Sequence, residues 1–272
     1  MYFFDRHYAS GKFGNGLIVL ETVIVSVLGI ACGFLLFPSE ASLIAVFLIA
    51  FGQARTVEAL LDRNRDEIWN RVRTPAAANS RLALSLMTMF MGILATYAAA
   101  ALIVPEDSLL SLFGRQVGDY GGHSITEVVF DDVPGILSHN AVVLLICFIF
   151  ALVYRHGGML LVLAWNASVW GVVFPHIARN APDLSPGGPA VYFAKSFVCI
   201  FPHLSLEAVS YILVAMAGVF LSKSMQKYEI GSAEFTQVGW SVLRIAGLSL
   251  LLLVVACVVE GYLAPALIRA LF

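Results

Sequence analysis

The sequence has few charged residues. Only 12% of its 272 residues are Asp, Glu, Lys or Arg, whereas soluble domains average about a quarter. Hydrophobic residues make up 60% of the chain, and several apolar runs approach the ~20 residues that a helix needs to cross a bilayer. Runs of this length differ from the alternating pattern of barrel strands. The composition therefore predicts an all-α, polytopic membrane protein with about seven spans, forming a single membrane domain over residues 1–272.

Motifs of soluble enzymes and of cofactor sites are also lacking. The sequence contains no P-loop, no Gly-x-Ser-x-Gly elbow and no His-Glu-x-x-His zinc motif. Its four cysteines lie singly in apolar runs, without the spacing of metal ligands, and are interpreted as small buried apolar residues. They are Cys32, Cys147, Cys199 and Cys257. We therefore expect no enzymatic activity, no cofactor, no metal site and no nucleic-acid partner.

The charged residues that are present divide the chain into three parts. Residues 1–104 contain three predicted spans and a cytoplasmic, arginine-rich helix over 54–73. Residues 105–138 form an acidic outer loop with short helical pieces and with Arg115 as its single basic residue. Residues 139–272 contain four predicted spans. Because Lys and Arg concentrate in cytoplasmic loops, this pattern predicts a multi-pass protein of the cell membrane with a cytoplasmic N-terminus and an outside C-terminus.

The candidate site lies in the apolar part of the chain. Pro202 lacks a backbone donor, so we expect it to break its helix and to leave a re-entrant or interfacial piece before it. His203 and Glu207 are four residues apart and share one helix face. Polar side chains within membranes are expected to face protein, which predicts an interior cluster with Asn140 and Asn166. The sequence is compatible with two roles for this cluster: it stabilises the packing of the helices, or it carries protons or ions.

One further carboxylate lies near the predicted outer end of the last span. Glu260 follows a long apolar run and precedes Gly261. An ionised side chain costs less near the bilayer surface than at its centre. Glu260 is therefore predicted to be an interfacial carboxylate.

Several of these segments carry a resemblance to a known family. Phe201-Pro202-His203-x-x-x-Glu207 precedes a helix rich in small residues, His139-Asn140 opens an earlier span, and the last span closes with Val259-Glu260-Gly261-Tyr262-Leu263-Ala264-Pro265. In order and spacing, these features resemble the signature of the stage II sporulation protein M family over roughly residues 124–265, and Asn166 and Gly171 fall where that family has an asparagine-glycine segment. The departures are Leu204 and Ala167, where the family usually has glycine, and His139, where it tends to have asparagine.

The resemblance implies a membrane scaffold more firmly than it implies a reaction, since the family's namesake acts in a complex with peptidoglycan hydrolases. We therefore expect a non-enzymatic scaffold or assembly protein that lies in the lipid bilayer, self-associates or organises membrane or envelope partners. The alternative is a transporter or channel subunit with a polar path at His203 and Glu207. Transporters commonly have broken helices in both halves of the chain, and only one is predicted here.

Overall fold

The structure is a computed structural model that describes residues 15–118, 133–180 and 188–272. All regular structure in these ranges is helical. In chain order the elements are α1 (Asn15–Leu36), a 3₁₀ turn (Pro38–Glu40), α2 (Ala41–Trp69), α3 (Pro75–Ile103), α4 (Glu106–Val117), α5 (Val133–Arg179), α6 (Gly188–Lys227), α7 (Ala233–Val258), a π turn (Val259–Leu263) and α8 (Ala264–Leu271). Six helical stretches in the described residues are long and apolar enough to cross a membrane. The chain is thus a multi-pass, all-α membrane protein.

Helix α5 is a hairpin of two arms, residues 133–154 and 156–179. At Arg155 the backbone leaves helical geometry, with φ 55° and ψ −134°, in the region that favours glycine. A Cβ added at Gly158 would collide with the Phe150 carbonyl oxygen. In a straight helix, two residues eight apart would be about 12 Å from each other along the axis. The chain therefore reverses at Arg155, and the six long helical stretches contain seven segments of membrane-spanning length.

Helix α6 differs from the prediction because it continues through Pro202 without a break. A proline removes one backbone donor and leaves the carbonyl four residues earlier without its helical partner. Transmembrane helices tolerate this where neighbouring groups compensate. Next to the proline, Ser205 Oγ donates to the Pro202 carbonyl oxygen at 2.9 Å. No separate re-entrant or interfacial piece precedes Pro202 in the described residues.

The segment predicted as an acidic loop, residues 105–138, also contains regular structure. Its first part forms α4, and α5 begins at Val133, six residues before the predicted start of that span. Residues 119–132, which carry most of the predicted acidic charge, lie outside the described residues, as does the predicted polar arm before Asn15.

Glycines let the central helices approach each other closely. A Cβ at Gly218 on α6 would lie 2.7 Å from the Phe148 carbonyl oxygen of the first α5 arm, and one at Gly171 on the second arm would lie 2.6 Å from the Leu94 carbonyl oxygen of α3. Small residues permit this backbone-to-backbone packing in membranes. The first α5 arm and α6 are thereby held together, and α7 packs beside them.

One end of the bundle contains more Lys and Arg than Asp and Glu residues, and we call it the basic end. It contains the C-terminal part of α2, the turn at Arg155 and the loop between α6 and α7. Here Glu67 accepts ion pairs from Arg63, Arg73 and Arg81 at 3.1, 3.3 and 2.6 Å. This network connects the end of α2 to the start of α3.

Candidate functional site

The candidate site begins with a contact between α5 and α6. Glu207 on α6 is 6% exposed, and Asn140 on the first α5 arm is 9% exposed. The Asn140 amide Nδ2 donates to Glu207 Oε1 at 2.7 Å. Buried polar groups need such partners, because an unsatisfied one costs several kcal/mol in hydrocarbon. Two of the predicted site residues are therefore direct partners.

A second carboxyl group reaches the same place from the end of α7. The Glu260 carboxyl group lies close enough to that of Glu207 for the two to interact, and Glu260 Oε2 is buried. Two ionised carboxylates have no proton to donate and repel each other. A pair of carboxyl groups this close in a buried site is therefore more stable with one proton than with two negative charges.

The π turn between α7 and α8 places this second carboxyl group. Its backbone bond runs from the Ala264 N–H to the Val259 carbonyl oxygen, one residue longer than in an α-helix. A Cβ added at Gly261 would lie 2.7 Å from Val133 Cγ2, so the turn packs against the start of α5. The turn thereby brings the Glu260 carboxyl group next to that of Glu207 on α6.

Two more side chains complete what we call the carboxyl cluster, namely Asn140, Glu207, Tyr211, Cys257 and Glu260. The Tyr211 hydroxyl, one turn after Glu207, donates to Asn140 Oδ1 at 3.2 Å. Cys257 Sγ lies 4.0 Å from Asn140 Nδ2. The Asn140 amide thus bonds through both of its ends, and the cluster connects α5, α6 and the end of α7.

A pair of serines joins α6 to α7 close to the carboxyl cluster. Ser210 Oγ donates to the Ser249 carbonyl oxygen and Ser249 Oγ donates to the Ser210 carbonyl oxygen, both at 2.8 Å. Both serines are fully buried. This reciprocal bonding satisfies two hydroxyls in the membrane interior and fixes the register of the two helices.

The remaining predicted residues lie differently from the expected cluster. Asn166, on the second α5 arm, donates through Nδ2 to the Val162 carbonyl oxygen of its own helix at 2.8 Å, so it is satisfied locally. His203 is 6% exposed and lies one turn before Glu207 on α6. Its Nδ1 is buried without a hydrogen-bond partner in the described part of the chain.

The carboxyl cluster lies far from the basic end. Along their helices, Asn140 is about 22 Å from the turn at Arg155, and Glu207 is about 24 Å from Lys223. The hydrocarbon core of a bilayer is ~30 Å thick. The cluster therefore lies within the core, nearer the end opposite the basic end. Within the described ranges, no three His, Cys, Asp or Glu side chains are arranged to hold a metal ion.

Comparison with known proteins supplies the family. A sequence model described as Stage II sporulation protein M matches residues 22–265. The chain belongs to the stage II sporulation protein M family. The match extends the resemblance found in residues 124–265 back through α2 and α3 and into α1, and it includes every residue of the carboxyl cluster. No curated protein matches the chain, and no solved structure matches it.

Within this family member, sequence reasoning missed the partnership of Glu260 with Glu207 and the part played by Tyr211. The available signal was that two consecutive predicted spans each contain one carboxylate in an apolar stretch. Since an unpaired charge is costly in a bilayer, such carboxylates are expected to find each other or another polar partner. The π turn that brings Glu260 inward has no comparable signature in the sequence.

Proposed function

We propose that this family member is a non-enzymatic membrane scaffold in which the carboxyl cluster fastens α5, α6 and α7 into one unit. The observation that supports this proposal is the bonding of the Asn140 amide to two side chains of another helix. Asn140 bonds to Glu207 and Tyr211, and the Glu260 carboxyl group lies beside that of Glu207. Hydrogen bonds between buried side chains of different helices rigidify a core. A rigid bundle of this kind suits a protein that holds other membrane or envelope proteins in place.

In this proposal, partners bind to the parts of the bundle that project from the membrane or face lipid. The basic end offers exposed arginines, including Arg55 on α2 and Arg71 just after it. The opposite end offers α4 and the acidic residues predicted for the adjoining loop. Self-association or binding of membrane or envelope partners takes place on these surfaces, and no chemical step is assigned to any residue.

The experiment compares assembly of the wild type with two variants of one residue. Full-length protein is purified in a mild detergent, and its oligomer size and co-purifying partners are measured. Glu207→Gln keeps the shape and hydrogen bonding of the side chain, so size and partners should be unchanged. Glu207→Ala removes the bond to Asn140 and the contact with the Glu260 carboxyl group, and recovery of the assembled form should fall. Unchanged assembly in Glu207→Ala would contradict the fastening role.

The second candidate is a transporter or channel subunit, and the two adjacent buried carboxyl groups favour it. Glu207 and Glu260 beside each other inside the membrane, with the buried His203 Nδ1 one turn away, form an arrangement found along proton paths. On this hypothesis Glu207→Gln removes the titratable group while the bundle stays assembled. Measurements of proton flux and of assembly on Glu207→Gln therefore distinguish the scaffold from the transporter or channel subunit.

A further inference from the structure

A pocket at the basic end has an excess of positive charge. It encloses about 420 Å³ between α2, the turn in α5, α6 and α7. Four cationic side chains line it, with a single carboxylate among them. They are Arg65, Arg155, Lys223 and Lys227, and the carboxylate is Asp62. We call this the basic pocket.

The carboxylate neutralises only part of this charge. Asp62 Oδ1 accepts from Arg65 Nη1 at 3.3 Å and from Lys223 Nζ at 3.2 Å. Asp66, outside the pocket lining, accepts from Arg65 Nη2 at 2.9 Å, so in the part of the chain that the structure describes the unpaired positive charge of the pocket is that of Arg155 and Lys227. Arg155 and Lys227 are both exposed, and neither has a carboxylate partner within the described residues. Cations grouped in this way repel each other at close range. The basic pocket is therefore complementary to an anion.

An apolar groove adjoins the basic pocket on the side that faces the membrane. It encloses about 560 Å³ between α3 and α7, and Ile212 and Leu213 of α6 lie among its lining residues. The groove and the basic pocket share Pro75, Asn79 and Ser241, so they are continuous.

The groove has the depth of one leaflet. On α7 it extends from Ser241 to Leu252, which is about 17 Å of helix. This is close to half of the ~30 Å hydrocarbon core. Arg244, a further exposed cation, lies one turn after Ser241 at the polar end of the groove. The groove is thus cationic at one end and apolar over the rest of its length, as a site for a lipid head group and its acyl chain would be.

Aromatic side chains mark the level of the membrane surface. Trp69 and Tyr228 both line the basic pocket, and their ring centroids are 6.1 Å apart. Trp and Tyr concentrate at membrane–water interfaces. The basic pocket thus lies at head-group depth, and the groove continues from it into the hydrocarbon.

We propose that the basic pocket and the groove together form a binding site for an anionic phospholipid. The phosphate-bearing head group lies among Arg155, Lys223 and Lys227, and one acyl chain lies in the groove between α3 and α7. Basic pockets between transmembrane helices bind anionic head groups in this way. The bound lipid would join α2 and α3 to α6 and α7 at the basic end, where the carboxyl cluster does not reach.

The charge requirement is tested on the delipidated, full-length protein in detergent. Native mass spectrometry measures retention of dioleoylphosphatidylglycerol and of dioleoylphosphatidylcholine, and a large excess of inorganic phosphate is the competitor. We expect preferential binding of phosphatidylglycerol. The double variant Arg155→Gln/Lys227→Gln should bind it roughly thirtyfold more weakly, from the contribution of each Lys or Arg beside an anionic lipid. The matched control Lys195→Gln/Arg269→Gln removes two cations elsewhere and should bind normally.

The acyl-chain requirement is tested by filling the groove. Ala83→Trp places an indole in the groove and should weaken phosphatidylglycerol binding about tenfold or more, since each buried methylene contributes ~0.8 kcal/mol. Ala99→Trp fills a different groove, between α1 and α3, and should have no effect. Equal binding of the two lipids, or full binding by the Arg155/Lys227 variant, would overturn the proposal. Displacement of the lipid by phosphate, with no effect of Ala83→Trp, would show an anion site without lipid specificity and would overturn it as well.

Discussion

Replacing Glu207 with alanine removes the centre of the carboxyl cluster. The variant leaves the Asn140 Nδ2 without the acceptor that now lies 2.7 Å away and leaves the Glu260 carboxyl group without its partner. Each buried polar group without a hydrogen bond costs about 1–3 kcal/mol. The two groups together predict a loss of about 2–6 kcal/mol in the free energy of unfolding. At about 2–4 °C per kcal/mol for a chain of this size, the Tm should fall by roughly 4–24 °C.

Two companion variants show whether hydrogen bonding is the cause. Glu207→Gln keeps an oxygen for Asn140 and gains an N–H for Glu260, so its Tm should stay within about 3 °C of the wild type. Asn166→Ala removes an amide of the membrane interior that bonds only to its own helix. Its effect should be similarly small, although the sequence pattern predicts Asn166 in the same cluster as Glu207.

The measurement is thermal unfolding of the purified protein in one detergent, followed by tryptophan fluorescence and by loss of the folded size-exclusion peak. A Tm for Glu207→Ala within about 3 °C of the wild type would refute the estimate. If Glu207→Gln were as unstable as Glu207→Ala, charge rather than hydrogen bonding would hold the cluster together.

Two further predictions concern topology and packing. Single cysteines are placed at Ser111 and Glu229, both exposed, in a cysteine-free background. A membrane-impermeant maleimide added outside the cell should react only at position 111, because the basic end is expected to be cytoplasmic. Labelling at position 229 would show the opposite orientation. Gly218→Leu should lower the free energy of unfolding by about 1–3 kcal/mol or prevent folding, because its Cβ would meet the Phe148 carbonyl oxygen. Gly247→Leu has open space around it and should have the Tm of the wild type. Equal Tm values for the two variants would contradict the close packing of α6 against α5.

Much of the fold could be predicted because bilayer thickness dictates the length of apolar runs. The turn at Arg155 was predictable since polar residues and two glycines interrupt such a run there. The behaviour of Pro202 was not predictable, because a proline breaks or merely perturbs a membrane helix according to what its neighbours supply. That information lies in the packing of α6 against other helices and is absent from the local sequence.

The site was predictable only in part, for a similar reason. Asn140 and Glu207 were identified because polar groups in apolar spans need partners. Which partners they find depends on the face that each helix turns inward. Asn166 is satisfied by its own backbone, and the π turn adds one residue before Ala264, which rotates the C-terminal helix α8 by about 100° relative to α7. Neither effect changes the hydrophobic pattern from which the faces were predicted.

The most direct test of the scaffold proposal is proton flux in proteoliposomes. Wild type and Glu207→Gln are reconstituted at equal density, and a pH-sensitive dye inside the vesicles reports the decay of an imposed proton gradient. If the carboxyl cluster only fastens helices, both proteins should leak no faster than protein-free vesicles, while their oligomer sizes agree. Flux through the wild type that Glu207→Gln abolishes, with assembly intact, would contradict the proposal and identify the cluster as part of a proton path.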